Sequence, residues 1–336
     1  MKLKRWITGA GVGAGLLGIL AFSTGYLLIN HRPDWIPGRI VQSLRQPELL
    51  EHPGAKRCSE CHRTIYEAWK KSRHSVAWVS ETYIEDSENR SKEKCLSCHI
   101  PQPVRPGQKP EPRLTHREDG VYCVSCHVVD RAMNGPYALF SPAHPTRQNP
   151  EYRKSKFCSS CHEKTVEEWQ ATGVDKPCQS CHMPRTPNRR LVQRFFLTLL
   201  HSRKEMADHR FPHGEVSDRE VRVSAEFEAG RVTVTLLNAT VPHHVPTADN
   251  GDPRLFLYVS FLDETGRIRD TFKEILAPQQ DTALPYQQPV SYRYRLREPV
   301  KRLAVALKYR PAWSKEKQDV LERTFAPGAA GTPERR

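Results

Sequence analysis

Cys58-Ser-Glu-Cys61-His62, Cys95-Leu-Ser-Cys98-His99, Cys123-Val-Ser-Cys126-His127, Cys158-Ser-Ser-Cys161-His162 and Cys178-Gln-Ser-Cys181-His182 are one five-residue pattern written five times, and together they use all ten cysteines of the 336-residue chain. C-x-x-C-H is the attachment signature of c-type haem: two thiols bond to the porphyrin edge and the adjacent histidine supplies a nitrogen to the iron. A zinc site built from C-x-x-C pairs has no need of a histidine directly after each second cysteine. A disulfide framework leaves that histidine unexplained and seldom keeps one spacing throughout. Five covalently attached haem c groups are therefore expected, with His62, His99, His127, His162 and His182 as the proximal metal ligands.

Ten further histidines form the pool for the opposite iron face: His31, His52, His74, His116, His144, His201, His209, His213, His243 and His244. A histidine on both faces closes the iron, whereas an open face admits a small substrate. The distal ligands are expected among His74, His116, His144, His209 and His213, each of which can instead be a surface histidine or a propionate partner. Met183 follows His182 too closely to reach the far face of the same ring, while Met133 and Met206 stay as alternatives.

Outward from the motifs, residues 57–214 hold few apolar and many charged and proline residues, so a haem-free core is not expected and the porphyrins must supply the hydrophobic volume. Short helices are predicted after several motifs, where Ile65 and Trp69, and Val166 and Trp169, are spaced for one helix face. Pro101, Pro103, Pro106, Pro110 and Pro112 make residues 100–113 an irregular crossing segment. This region resembles the multihaem cytochrome family that includes cytochrome c554. The resemblance rests on the first motif followed by Trp69 and Ser72-Arg-His74, on Gly120-Val-Tyr before Cys123, on Trp169 after the fourth motif, on Met183-Pro184 after the fifth, and on His209-Arg-Phe-Pro-His213-Gly214. It covers about residues 52–214 and implies a mostly helical, haem-stacked domain. It also implies distal roles for His74, His116 and His144 and, more loosely, His209. Five motifs stand here against the four familiar in that family, so its axial pairings do not transfer.

Before the motifs, Lys2, Lys4 and Arg5 precede an uncharged run from Trp6 to Ile29. At about 1.5 Å per residue the run is long enough for the roughly 30 Å core of a bilayer. Residues 1–30 are read as a membrane anchor, with a cleaved signal peptide as the rival, and either implies export. The basic flank places the bulk of the chain in the periplasm, held by a single pass through a bacterial inner membrane. Residues 31–56, broken by Pro33, Pro37, Pro47 and Pro53, read as a linker.

After Gly214 the period changes. Val221 to Phe227 and Val232 to Leu236 alternate with period two around Glu228-Ala-Gly230, a hairpin signature. Further strands are read at 255–262, 268–275, 292–296 and 303–307. The expected fold class is α+β and multidomain: an N-terminal transmembrane helix, a haem-stacked helical domain with little regular structure, and an all-β sandwich over 215–325. His243 and His244 lie in a proline-bounded loop of this module, either as structural histidines or as caps for a haem. His244-Val-Pro-Thr247 and Asp252-Pro253 resemble β modules in relatives of the same family. Residues 326–336 read as a disordered tail.

The formal charge of +14 suits an acidic redox partner or anionic lipid, and no aromatic-interleaved basic motif points to nucleic acid. The reading is electron transfer between a membrane quinol-linked donor and a soluble periplasmic acceptor, with the membrane contacted through the N-terminal helix. Two alternatives stand beside it: an oxidoreductase with one open haem acting on a small nitrogen or sulfur compound, and a haem subunit assembled into a larger complex through its β module.

Overall fold

The computed structural model describes residues 47–51, 53–139, 141, 143–194, 198, 201–296 and 301–327. Among these the chain forms two compact units. One runs to Ser160 and resumes over Pro177–Pro212; the other comprises Cys161–Lys176 and the chain from His213 onward.

In the first unit the helices are short, and all but one of them hold part of a haem motif or the residues directly after it. They are α1 (Ala55–Ser59), α2 (Arg63–Trp69), α3 (Glu81–Asp86), α4 (Glu93–His99) and α5 (Cys123–His127); α6 (Glu163–Ala171) falls in the second unit and α7 (Cys178–His182) returns to the first. Two cysteines and a histidine at i, i+3 and i+4 share one helix face, so a single turn aims both thiols and the imidazole the same way. The apolar core here is small: Ala55, Trp69 and Tyr122, with Tyr66 and Val124 against them.

Polar contacts do the remaining ordering. The proline segment closes on itself, with Pro101 bridged to Pro112 and Arg113 N donating to Ile100 O at 2.8 Å. The Arg113 guanidinium is 3% exposed and gathers five oxygens: Thr115 O, Pro101 O, Ser125 Oγ, His116 O and Gly120 O. It also lies 4.5 Å over the Tyr122 ring. Gly120 has φ +60°, and a Cβ there would sit 2.4 Å from His74 O. That close approach lets Val121 N donate to His74 O at 2.9 Å, which fixes the His74 segment beside the third motif.

Two small sheets complete this unit. β1 (Val128–Val129) pairs antiparallel with β2 (Ala132–Gly135), which pairs parallel with β3 (Thr146–Gln148). β4 (Arg185–Arg189) pairs antiparallel with β5 (Lys204–Ala207).

The second unit is β-rich. Its strands are β6 (Val221–Glu228), β7 (Arg231–Asn238), β8 (Arg254–Leu262), β9 (Ile268–Leu276), β10 (Pro289–Arg295), β11 (Arg302–Arg310) and β12 (Gln318–Phe325). They form two antiparallel sheets, ordered β10-β7-β6 and β12-β11-β8-β9. Alternate residues point inward because the side-chain period of a strand is two. Val221, Val223, Val232, Val234 and Leu236 of one sheet share a single core with Leu255, Leu257, Val259, Phe261, Leu303, Val305 and Leu307 of the other.

The transmembrane part of the expected fold class is corrected. Among the described residues no helix is long and apolar enough to cross a membrane. The longest of them, α6, has 9 residues and spans about 14 Å, under half of a bilayer core of roughly 30 Å. The run Trp6 to Ile29 that suggested an anchor lies outside the described residues, as do His31, His52 and residues 328–336. The corrected fold is α+β and multidomain, with a helical haem-binding region and a β-sheet-rich C-terminal region. The single-pass inner-membrane location, the membrane as a partner through an N-terminal helix, and the membrane-anchored form of the electron-transfer reading are withdrawn on the same ground.

Candidate haem-binding centres

Four of the five motif histidines have a backbone acceptor at Nδ1. His62 Nδ1 lies 2.8 Å from Leu191 O, His99 Nδ1 2.5 Å from Ala77 O, His127 Nδ1 2.7 Å from Asn134 O, and His182 Nδ1 2.9 Å from Pro212 O. His162 Nδ1 instead lies 3.7 Å from the Asp249 carboxylate. An acceptor at Nδ1 holds the proton there and leaves Nε2 with its lone pair, the tautomer a metal requires. β2 presents Asn134 O to His127.

Two proximal rings face a second imidazole. His62 and His144 have ring centroids 6.4 Å apart, and His127 and His209 are 6.2 Å apart. Two metal–imidazole bonds of about 2 Å each, added to the half-widths of two rings, give about 6 Å. Burial and then the neighbouring His62 push the His144 pKa down to about 4, and burial and then His127 do the same to His209. Burial also lowers the pKa of His62, His99 and His127. These rings are therefore neutral at physiological pH, as metal ligands must be. His209 is oriented by Ala207 O, 2.9 Å from its Nδ1, at the end of β5.

The other histidines are placed differently. His74 stands edge-on to Phe211 with ring centroids 4.4 Å apart. His116 has left-handed backbone geometry, with Nδ1 3.6 Å from Glu118 Oε1. His213 packs on Trp313 at 4.6 Å. His201, outside the expected distal set, is 6% exposed and close enough to His62 and His144 to depress both pKa values. Met133 lies on β2 and Met206 on β5.

None of the ten cysteines is in a disulfide, and two pairs of sulfurs from different motifs are neighbours. Cys58 lies beside Cys123, and Cys158 lies beside Cys178. Groups attached at the first and third motifs, and at the fourth and fifth, therefore have neighbouring attachment edges. Paired thiols followed by a tautomer-locked imidazole, with neutral buried imidazoles opposite two of them, are a donor set that fits haem c.

In the second unit the start of α6 carries further polar residues that the motif pattern did not reveal. Lys164 N donates to Asp249 Oδ1 at 2.6 Å, and Thr165 Oγ1 donates to Asp249 Oδ2 at 3.1 Å. Glu168, on the same helix and buried, accepts from Thr247 Oγ1 at 2.7 Å and from His244 N at 3.2 Å. His244 Nδ1 lies 3.4 Å from its other oxygen. A cavity of about 270 Å³ borders Lys164, Glu168, His244 and Pro278.

Comparison with known proteins agrees with this chemistry. The family described as cytochrome c554 and c-prime matches residues 57–128. Cytochrome c-554 of Nitrosomonas europaea is 24% identical over 136 residues, which cover 32% of this chain and 56% of that protein. The chain thus matches little more than half the length of that relative. The crystal structure of a penta-haem cytochrome c552 from Thermochromatium tepidum superposes with a TM-score of 0.58 at 17% identity, over 82% of this chain and 99% of that one. That likeness is one of fold.

Proposed function

We propose that this multihaem c-type cytochrome, related to the cytochrome c554 family and carrying covalently bound haem c at its five attachment motifs and a C-terminal β-rich module, is an electron carrier serving redox proteins that transform small nitrogen or sulfur compounds. When bound, the haems supply irons that exchange one electron each. The observation that carries the reading is the pair of opposed imidazoles, His144 across from His62 and His209 across from His127. Such pairs would hold an iron between two imidazoles and leave oxidation state as the variable. The contacts Cys58 to Cys123 and Cys158 to Cys178 support short edge-to-edge passage between neighbouring groups. His74, His116 and His213 are kept as distal candidates for the remaining irons. In this reading residues 57–214 hold the redox groups, residues 215–325 form the β module, and the chain is exported to the compartment where haem is attached.

A second reading, an oxidoreductase with one open iron, is favoured by His99, which stacks on Tyr83 at 3.9 Å and, among the described residues, has no imidazole placed as His144 and His209 are beside His62 and His127. Low-temperature EPR of the fully oxidised protein, integrated against total iron, separates the two. Low-spin signals from all five irons support the carrier. One stoichiometric high-spin iron that binds nitrite, hydroxylamine or carbon monoxide overturns it in favour of the oxidoreductase.

A further inference from the structure

The Nδ1 partner of the proximal histidine differs at one motif. At His62, His99, His127 and His182 the acceptor is a neutral backbone carbonyl at 2.5–2.9 Å. At His162 the nearby group is charged instead: Asp249 Oδ2 lies 3.7 Å from Nδ1, an ion-pair contact. Asp249 belongs to the loop between β7 and β8, and His162 directly precedes α6, so both lie in the second compact unit.

The carboxylate is held firmly. Oδ1 accepts the Lys164 amide at 2.6 Å, and Oδ2 accepts the Thr165 hydroxyl at 3.1 Å. Thr165 Oγ1 is in turn 2.9 Å from Thr247 Oγ1. The nearest lysine is directed elsewhere, since Lys164 Nζ donates to Pro278 O at 2.9 Å and lies 3.7 Å from Asp281. The Asp249 side chain is 12% exposed and that of His162 56%, so the charge is screened from the imidazole side but not from its own.

We infer that Asp249 is a positioning residue for the fourth attachment motif, orienting His162 and lowering the reduction potential of the iron bound there relative to the same iron without a carboxylate. A carboxylate behind a metal-bound imidazole fixes the ring and makes its coordinating nitrogen more electron-rich than a carbonyl does. A full negative charge beside the ligand also favours the ferric state, which carries one more positive charge than the ferrous state. The single electron that separates the two states is therefore held less tightly at this motif. The β module has a redox role in this account, because one of its loops sets the potential at a haem motif. The inference rests on the carrier reading, for which the order of potentials along the chain matters.

The test is a spectroelectrochemical titration of the full haem-loaded chain, comparing wild type with Asp249→Asn, Asp249→Ala and the loop control Asp252→Asn. Asn keeps an oxygen for the Lys164 amide and removes the charge. In Asp249→Asn one of the five midpoints is expected to rise by at least a tenfold change in the oxidised-to-reduced ratio, about 59 mV for one electron. The g-values of one low-spin EPR component should move with it, while Asp252→Asn leaves all five midpoints in place. Five unchanged midpoints in an Asp249→Asn protein with full haem content overturn the inference, as does a uniform shift of all five. If Asp249→Ala loses haem, Asp249→Asn decides. None of these outcomes alters the spin-state count that tests the carrier reading.

Discussion

The imidazole of His62 faces that of His144 with ring centroids 6.4 Å apart and planes inclined by 34°, and the same relation, 6.2 Å and 36°, joins His127 to His209. Neither pair is close in sequence. Each couples a ring fixed by its own attachment motif to one delivered by a turn or short strand that follows it.

Replacing His144 with Ala should therefore convert one iron of five from low to high spin and let it bind carbon monoxide, and His209→Ala should do the same at another. The double variant should show the sum, since the two changes act on different irons. EPR integration against total iron reads the outcome. Retention of five low-spin irons in either single variant would remove that histidine from the distal set.

Arg113 shows how a buried cation is held chiefly by neutral oxygens. Its guanidinium spreads five donors over four backbone carbonyls and Ser125 Oγ. Lys preserves the charge but cannot reproduce the fork, and each orphaned buried acceptor costs about 1–3 kcal/mol. Arg113→Lys should lower the urea midpoint of the haem-loaded protein by a few kcal/mol equivalent. An unchanged midpoint would mean that the carbonyls find other donors.

The attachment motifs were legible because covalent chemistry imposes their spacing, and the β strands because one buried face forces a period of two on residues such as Val221, Val223 and Ala225. His144 and His209 could be named from the sequence, but the irons they face could not, since the pairing depends on packing between distant segments. Asp249 and Arg113 left no local signal. Asp249 is 85 residues from the Lys164 amide it accepts, and Arg113 sits at the end of a proline-rich segment that reads as irregular. The apolar run at the N-terminus has the length and composition of a bilayer span, yet no helix among the described residues matches it.

Asp263 supplies a pH dependence in the β module. The Thr265 hydroxyl, then the Arg267 amide, Arg269 and the Thr265 amide, hold its pKa down to about 2, below the usual carboxylate value of about 3.9. A pKa lowered by folding stabilises the native state above the unfolded value and loses that contribution as pH falls through the folded one. Asp263→Asn should thus be less stable than wild type at pH 5, with the gap closing between about pH 4 and pH 2. Urea unfolding monitored by tyrosine fluorescence at both ends measures it. A gap that widens with acidity would contradict the assignment.

The two regions should differ in their need for haem. Around the first and third motifs the apolar core is Ala55, Trp69 and Tyr122, too little to offset an ordering entropy of about 1–2 kcal/mol per residue. The β strands instead enclose Phe261, Leu257, Leu303 and Leu307, all at most 1% exposed. A chain produced without haem attachment should lose residues 55–160 to limited proteolysis and keep a resistant fragment containing 221–325, with a β-type far-UV spectrum. Phe261 lies against Phe272 and Tyr294, so Phe261→Ala should weaken that fragment by about 3–5 kcal/mol. The same substitution should leave the haem spectrum of the loaded protein unchanged, because the side chain it removes is packed wholly within the β core. Protection of residues 55–160 in the haem-free chain would show that the polypeptide orders itself there without the porphyrins.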